Sequence, residues 1–247
     1  MRNPLALKPE HEVLTVGHVF GTPVTALGKT WLPVAQLVTW LVMAFYAGRK
    51  KPERSWLQRL GVGALTMPVV LGSEWCHNLA HVAAARLIGK PTDAVRVAWG
   101  MPLLNYWEIN DLSVKPREHI ARALGGPVFN VLVMLIAKIF RRQTRPDSLA
   151  HEVADLAVDV NTFLGVMSLL PMPGIDGGPV LKWSLVEAGC SVEQADRTVQ
   201  LINGPLSGLM AYQSFKAFMK GRILWGIFTG MFALTNLAIF TGLVKEK

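Results

Sequence analysis

The feature that most constrains the fold of this chain is an apolar run at residues 223–244, which holds no charged side chain. A helix of roughly 20 apolar residues crosses the bilayer core of about 30 Å, so the run predicts a membrane span. Four further runs are long enough, or nearly so, to span: residues 31–48, 57–89, 124–140 and 156–171. We therefore expect a multi-pass integral membrane protein, located in the plasma membrane.

Composition and charge also favour contact with the lipid bilayer. Hydrophobic residues make up 51% of the 247 residues, and the mean hydropathy is +0.33, which is high for a soluble domain. The net charge of +8 is concentrated at residues 49–54 and 141–145, directly after two apolar runs. The positive-inside rule places such clusters in cytoplasmic loops. Nucleic-acid binding is not expected, because the basic residues are not interleaved with exposed aromatic residues.

The chain is predicted to have three parts. Residues 1–57 form an N-terminal segment with one transmembrane helix, residues 58–185 a core, and residues 186–247 a helical region ending in a transmembrane helix. Pro68 is expected to kink or break the helix that leads to residue 77. Residues 92–112 partly alternate apolar and polar side chains and contain a Trp-Gly-Met-Pro turn signal, which predicts a short β-hairpin. The predicted fold is thus an all-α polytopic membrane protein with a β-hairpin insertion.

Two histidines stand four residues apart in the sequence HNLAH, at residues 77–81. On a helix His77 and His81 lie on one face, one turn apart, so both imidazoles can reach one metal ion. Ionisable residues within a membrane span are costly and usually mark function. The alternative is a pair of helix histidines satisfied by neighbouring polar groups.

Asp176 is the leading candidate for a third metal ligand. It lies in the sequence PMPGIDGGP, directly after an apolar run, where a non-helical backbone is tolerated at membrane depth only if it lines a cavity or is buried in protein. Catalytic zinc takes three protein ligands and keeps one open position. The alternative is an ordinary Asp-Gly turn at a helix end.

Three motifs resemble those of the site-2 proteases, which are intramembrane zinc metalloproteases. HNLAHVAAARLIG at residues 77–89 is similar to the family's HExxH helix except at Asn78. GPVFN at residues 126–130 resembles its Gly-Pro-x-x-Asn motif. SLLPMPGIDGG at residues 168–178 resembles its Asn-Leu-Leu-Pro-x-Pro-x-x-Asp-Gly-Gly run except at Ser168. The resemblance covers about residues 58–185.

The resemblance implies a three-helix core with Zn²⁺ held by His77, His81 and Asp176. It also implies that a membrane protein or peptide is the substrate, guided as an added strand by the β-hairpin. In the family, the motif glutamate takes a proton from the attacking water and passes it to the leaving amine. Asn78 stands at that position here, and an amide has no useful basicity near neutral pH.

Glu74 is the first candidate to replace the missing base. It precedes His77 by three residues and falls on much the same helix face. It is a candidate substitute base, a candidate fourth metal ligand, or a carboxylate that orients His77. If Pro68 breaks the helix, Glu74 is instead an acidic residue near a helix start.

Ser168 is a second departure from the family, which has an asparagine there to hydrogen-bond substrate or oxyanion. A serine hydroxyl can donate one hydrogen bond but has a shorter reach. Asn130 and Asn161 are candidates to share that work. No site role is assigned to Cys76, His11, His18, His119 or His151.

Three functions are compatible with these residues. The first is a site-2 protease-like zinc metallopeptidase acting on a membrane-embedded or membrane-proximal peptide. The second is a catalytically inactive pseudoprotease that keeps the zinc site and binds or regulates a membrane partner. Metal transport is least favoured, because a transport path would place more polar residues across several spans.

Two arguments on membrane orientation disagree. The basic loops predict that residues 90–121 lie outside the cell, whereas the resemblance implies a zinc site near the cytoplasmic face. For the core we expect the orientation that the resemblance implies.

Overall fold

A computed structural model describes residues 13–108 and 110–244, which are mainly helical with one small β-sheet. His11 lies outside the described residues. The helices are α1 (Val34–Lys50), α2 (Trp56–Leu87), α3 (Pro116–Gln143), α4 (Leu149–Met167), α5 (Gly177–Glu187), α6 (Val192–Met219) and α7 (Ile223–Phe240). The strands are β1 (Leu14–Val19), β2 (Thr22–Ala26), β3 (Ala94–Ala98) and β4 (Met101–Asn105).

The chain divides into two compact units. The first comprises Met1–Leu112 and Leu124–Val166, and the second comprises Ser113–Ala123 and Met167–Lys247. The three-part division made from the sequence, at residues 57 and 185, stays a prediction.

The β-sheet of the first unit contains the predicted hairpin and a second one. Strand order is β1-β2-β3-β4, with β1/β2 and β3/β4 antiparallel and β2/β3 parallel. Both hairpins turn through an aromatic residue and a glycine with positive φ, Phe20-Gly21 and Trp99-Gly100, as a two-residue type I′ turn requires. The sequence analysis predicted the β3/β4 hairpin but no strands before residue 31, although the Phe-Gly turn between β-branched residues was a visible signal.

Helix α2 carries the histidine pair and runs through Pro68 without interruption. Of the kink or break predicted at Pro68, the break is wrong, so Glu74 does not lie near a helix start. Packing against α1 offsets the backbone hydrogen bond that proline removes. A Cβ on Gly63 would lie 2.7 Å from the Ala44 backbone nitrogen, and Trp40 Nε1 donates to the Leu60 carbonyl at 2.9 Å.

A capping box and a glycine define the ends of α2. The Ser55 hydroxyl accepts from the Gln58 backbone, and the Gln58 side chain accepts from the Ser55 backbone. At the other end Gly89 follows the helix with a φ of +73°, the left-handed conformation in which glycine commonly ends a helix.

The two basic loops, residues 49–54 and 141–145, lie at one end of the first unit, where both form ion pairs with α4. Arg54 and Lys51 both contact Glu152 at 2.7 Å, and Arg141 contacts Asp155 at 3.1 Å. Burial raises the pKa of the Glu152 carboxyl, but hydrogen bonds and charge from Arg54 and Lys51 outweigh it and hold the pKa below its usual value. The loops predicted to be cytoplasmic therefore face the same side.

Two helices, Pro116–Gln143 and Ile223–Phe240, are long and apolar enough to cross a membrane among the described residues. Large apolar side chains on α7 are exposed, including Leu224 at 77% and Leu234 at 69%. Such exposure suits lipid better than water.

In the second unit, α6 and α7 form an antiparallel helical hairpin. Ser207 Oγ donates to the Ala233 carbonyl at 2.9 Å, and Ser214 Oγ donates to the Gly226 carbonyl at 2.7 Å. Small residues allow the close approach, since a Cβ on Gly226 would lie 2.8 Å from the Phe218 ring.

Candidate metal centre

His77 and His81 are buried on one face of α2, with 7% and 4% of their surface exposed. Their Nε2 atoms lie 3.2 Å apart. Two nitrogens bound to one tetrahedral ion at about 2.0–2.1 Å would lie about 3.3 Å apart. The pair is therefore spaced as two ligands of a single metal ion would be, which is also the spacing of a hydrogen bond between the two rings.

Gly126 of α3 preserves the space in front of the two imidazoles. A Cβ at this position would lie 2.4 Å from His81 Nε2 and 2.6 Å from His77 Nε2. At Gly125 a Cβ would lie 2.7 Å from the Ala80 carbonyl, so α3 approaches α2 closely here. The Gly-Gly pair thus brings α3 to the histidines without filling the position of an ion.

A chain of buried polar side chains begins at His77 and crosses three helices. His77 Nδ1 hydrogen-bonds Asn130 Oδ1 of α3. Asn130 Nδ2 donates to Asn161 Oδ1 of α4 at 2.8 Å, and Asn161 Nδ2 donates to Ser73 Oγ of α2 at 2.9 Å. We call these four residues the His77 relay. Asn130 and Asn161 are no more than 1% exposed.

The relay determines which imidazole nitrogen of His77 can bind a metal. Because the Asn130 amide nitrogen faces Asn161, its oxygen faces His77 and accepts a hydrogen bond from the Nδ1–H group. Nε2 then carries the lone pair that a metal ion needs. Asn130, one candidate for oxyanion binding, is thus hydrogen-bonded to His77 and orients its ring. Glu74 was a candidate for that orienting role.

Asn78, at the family's base position, contacts Glu74. Its Nδ2 donates to the Glu74 carbonyl at 3.0 Å and lies 3.3 Å from Glu74 Oε1. Both side chains are half-buried. The Asn78 amide and the Glu74 carboxylate are therefore in hydrogen-bond contact, one helical turn apart on α2.

Asp176 and Ser168 belong to a tight turn at residues 168–178, which we call the Asp176 turn. The Gly177 amide donates to the Ser168 carbonyl at 2.7 Å, and Gly174 has a φ of +85°. A Cβ on Gly177 or Gly178 would lie 2.2 Å from a backbone carbonyl oxygen of the same turn. Glycine is thus required at positions 177 and 178 because the chain folds directly onto itself, and it is favoured at position 174 because the backbone there is left-handed.

The side chains of the Asp176 turn suit binding rather than capping. Asp176 occupies the N-cap position of α5 with helical backbone angles, and its carboxylate makes no capping hydrogen bond. Ser168 Oγ is buried and has no hydrogen-bond partner among the described residues. A buried hydroxyl of this kind can donate to a bound group.

The other sequence candidates lie elsewhere. Cys76 is exposed on α2, His151 Nδ1 contacts Thr144 Oγ1 at 2.9 Å, and His119 stacks on Trp183. Sequence reasoning missed Ser73. Its signal was a lone small polar residue one helical turn before His77 in an apolar run.

The chain is similar to a curated protein and to a solved structure. A curated protein of Methanocaldococcus jannaschii, provisionally named a zinc metalloprotease, is 35% identical over 69 residues. The match spans 28% of this chain and little more than a third, 36%, of that protein. No protein-family model matches the chain.

The structural neighbour is the site-2 protease from Methanocaldococcus jannaschii, with a TM-score of 0.54 and 13% sequence identity. The match covers 96% of this chain and 99% of that one. It therefore extends over the terminal regions that the three sequence motifs leave out.

Proposed function

We propose that this chain, site-2 protease-like in its fold and motifs, is an intramembrane zinc metallopeptidase. Its zinc ligands are His77, His81 and Asp176, each of which offers one ligand atom. The observation that carries the proposal is the pair of Nε2 atoms 3.2 Å apart in front of Gly126.

The residues present fit zinc chemically. Two imidazole nitrogens and one carboxylate oxygen form a common ligand set of catalytic zinc, and three protein ligands leave one position open. When bound, zinc would polarise a scissile carbonyl and lower the pKa of a water molecule. The His77 relay holds one ligand in the required tautomer before any metal arrives.

We assign the general base to Glu74. The carboxylate can accept a proton at Oε1, which lies 3.3 Å from the amide nitrogen of Asn78, the residue at the motif's base position. Asn78 then serves to position Glu74 and does not itself take up a proton. Ser168 Oγ supplies a hydrogen bond to the substrate or its developing oxyanion.

The substrate is a membrane-embedded or membrane-proximal peptide in an extended conformation. Strand β4 forms one edge of the sheet, and an exposed edge can accept a further strand through backbone hydrogen bonds. The chain acts as a multi-pass protein of the plasma membrane, with the spans predicted at α1, α2 and α4 in addition to the two apolar helices.

The alternative is a pseudoprotease that keeps the zinc site and binds or regulates a membrane partner without cutting it. The observation in its favour is Asn78, whose amide cannot accept a proton from water. In this case Glu74 only satisfies the Asn78 amide.

The experiment that separates the two compares Glu74→Gln and Asn78→Glu with the wild type. The purified protein in lipid vesicles is tested for zinc binding and for cleavage of a fluorogenic transmembrane peptide. A Glu74 base predicts wild-type cleavage and a loss of about 100-fold or more in Glu74→Gln, with zinc still bound. Glu187→Gln, which changes an exposed carboxylate in α5, is the control.

The opposite outcome favours the pseudoprotease. It consists of zinc binding without cleavage in the wild type, and cleavage that appears only in Asn78→Glu. A wild-type protein that binds no zinc would refute both functions.

A further inference from the structure

Two asparagines in the C-terminal helical hairpin are fully buried. Asn203 of α6 and Asn236 of α7 are each 0% exposed. Both lie beyond residue 185, outside the motifs that resemble the site-2 proteases. A buried amide in an apolar hairpin is costly, so its contacts indicate what it does.

Each asparagine reaches from its helix to the start of the Asp176 turn. Asn203 Nδ2 donates to the Pro171 carbonyl at 2.9 Å. Asn236 Nδ2 lies 3.4 Å from Met172 Sδ. Each Nδ2 also donates at 2.6 Å to the carbonyl one turn earlier in its own helix. Because carbonyl oxygens only accept hydrogen bonds, these contacts determine which way each amide points.

Packing of α6 against α7 does not explain these amides. Ser207 and Ser214 already join the two helices through hydrogen bonds. The Oδ1 atoms of Asn203 and Asn236 accept no hydrogen bond from any described residue, and a buried acceptor left unbonded destabilises the fold. A leucine of similar volume would avoid that cost.

The segment that the asparagines hold is continuous with Asp176. The Ile175 amide donates to the Met172 carbonyl at 3.4 Å, and a Cβ on Gly178 would lie 2.2 Å from that same carbonyl. Holding residues 171 and 172 in place therefore also holds the part of the Asp176 turn that carries the carboxylate.

We infer that Asn203 and Asn236 are positioning residues that hold the Asp176 carboxylate in place for the metal ion. The C-terminal helical hairpin is then part of the metal centre as well as a membrane anchor. This inference rests on the proposed function, in which Asp176 is a zinc ligand. Residues that orient ligands typically contribute 10- to 100-fold to metal affinity.

The test uses full-length Asn203→Leu and Asn236→Leu, with Ser214→Ala as the control. Ser214→Ala removes a hydrogen bond between α6 and α7 that does not involve the Asp176 turn. Zinc affinity is measured by competition with a chromogenic chelator, coordination by the visible absorption of bound Co²⁺, and stability by the unfolding midpoint of the metal-free protein.

We expect each leucine variant to bind zinc about tenfold or more weakly and to change the Co²⁺ spectrum. Its metal-free unfolding midpoint should equal or exceed that of the wild type. Ser214→Ala should bind zinc as the wild type does. A purely structural role predicts the reverse, namely a lower midpoint with unchanged affinity.

The outcomes separate this inference from the proposed function. Wild-type zinc binding with unchanged affinity and spectrum in both leucine variants overturns the inference alone, whereas a wild type without zinc binding overturns both. If the leucine variants do not fold, Met172→Leu decides. It removes only the sulfur acceptor, and unchanged affinity in that variant overturns the inference.

Discussion

At the scale of single residues, the candidate metal centre depends on a missing side chain as much as on those present. Gly126 has no Cβ, and a Cβ there would overlap the Nε2 atoms of His77 and His81. Gly126 and Asn130 belong to the same Gly-Pro-x-x-Asn motif, and both lie beside the histidine pair. Gly126 lies against both imidazoles, and Asn130 orients His77.

Gly126→Ala should therefore weaken zinc binding by about tenfold or more, because the imidazoles must turn away from their shared position. The control is Gly72→Ala in α2, where a Cβ would meet nothing within 4 Å. It should bind zinc normally and gain up to about 1 kcal/mol of stability, since alanine favours helix more than glycine. Chelator competition and thermal unfolding measure both effects. Equal zinc affinity in the two variants would contradict this account of Gly126.

At the scale of secondary-structure elements, polar groups connect helices that are otherwise apolar. The His77 relay joins α2, α3 and α4 in the interior of the first unit. At the end of that unit, Glu152 in the first turn of α4 joins α4 to the loop between α1 and α2. Ion pairs at a helix end can be partly exposed, whereas the relay is uncharged, as burial requires.

Glu152 should make stability depend on acidic pH. Its pKa is lowered in the folded protein, so its contribution is complete above the unfolded value of about 4.5 and is lost as pH falls through the lower, folded value. Unfolding midpoints in detergent between about pH 6 and pH 3 should fall less steeply for Glu152→Gln than for the wild type. Glu187→Gln, which breaks the exposed Arg117 pair, should leave the slope unchanged. Parallel slopes for Glu152→Gln and the wild type would exclude this role for Glu152.

At the scale of the whole molecule, α2 separates the charged loops from the sheet of the first unit. Its 32 residues span about 48 Å. His77 lies about 15 Å from the end of α2 near the sheet, and about 32 Å from the end near the loops. The two sequence arguments on orientation therefore concern opposite ends of one helix, and only one end can be cytoplasmic if α2 spans the membrane.

Labelling of single cysteines should resolve the orientation. Cysteines at Glu53 and Asp147 should react with a membrane-impermeant thiol reagent from one side of the membrane. A cysteine at Lys29, beside the sheet, should react from the other side. All three residues are exposed, and Cys76 and Cys190 are replaced by serine in every variant. Reaction of all three from the same side would show that α2 does not span.

The sequence by itself determined the apolar helices, the β3/β4 hairpin and the candidate zinc ligands. These features depend on local periodicity, turn residues and motif spacing, which neighbours along the chain encode. It did not reveal that β2 pairs in parallel with β3, or that α2 continues through Pro68. Both features depend on packing between distant segments of the chain.

Tertiary structure alone decided how the polar residues are used. Asn130, Asn161 and Ser73 are far apart in sequence, and their hydrogen bonds exist only because three helices cross at one depth. Asn78 and Glu74 are one helical turn apart, so the sequence could place them on one face, but only side-chain packing brought the amide to the carboxylate. Local sequence thus specified the chemical groups, and the fold specified their partners, because hydrogen bonds require atomic distances that motif spacing does not encode.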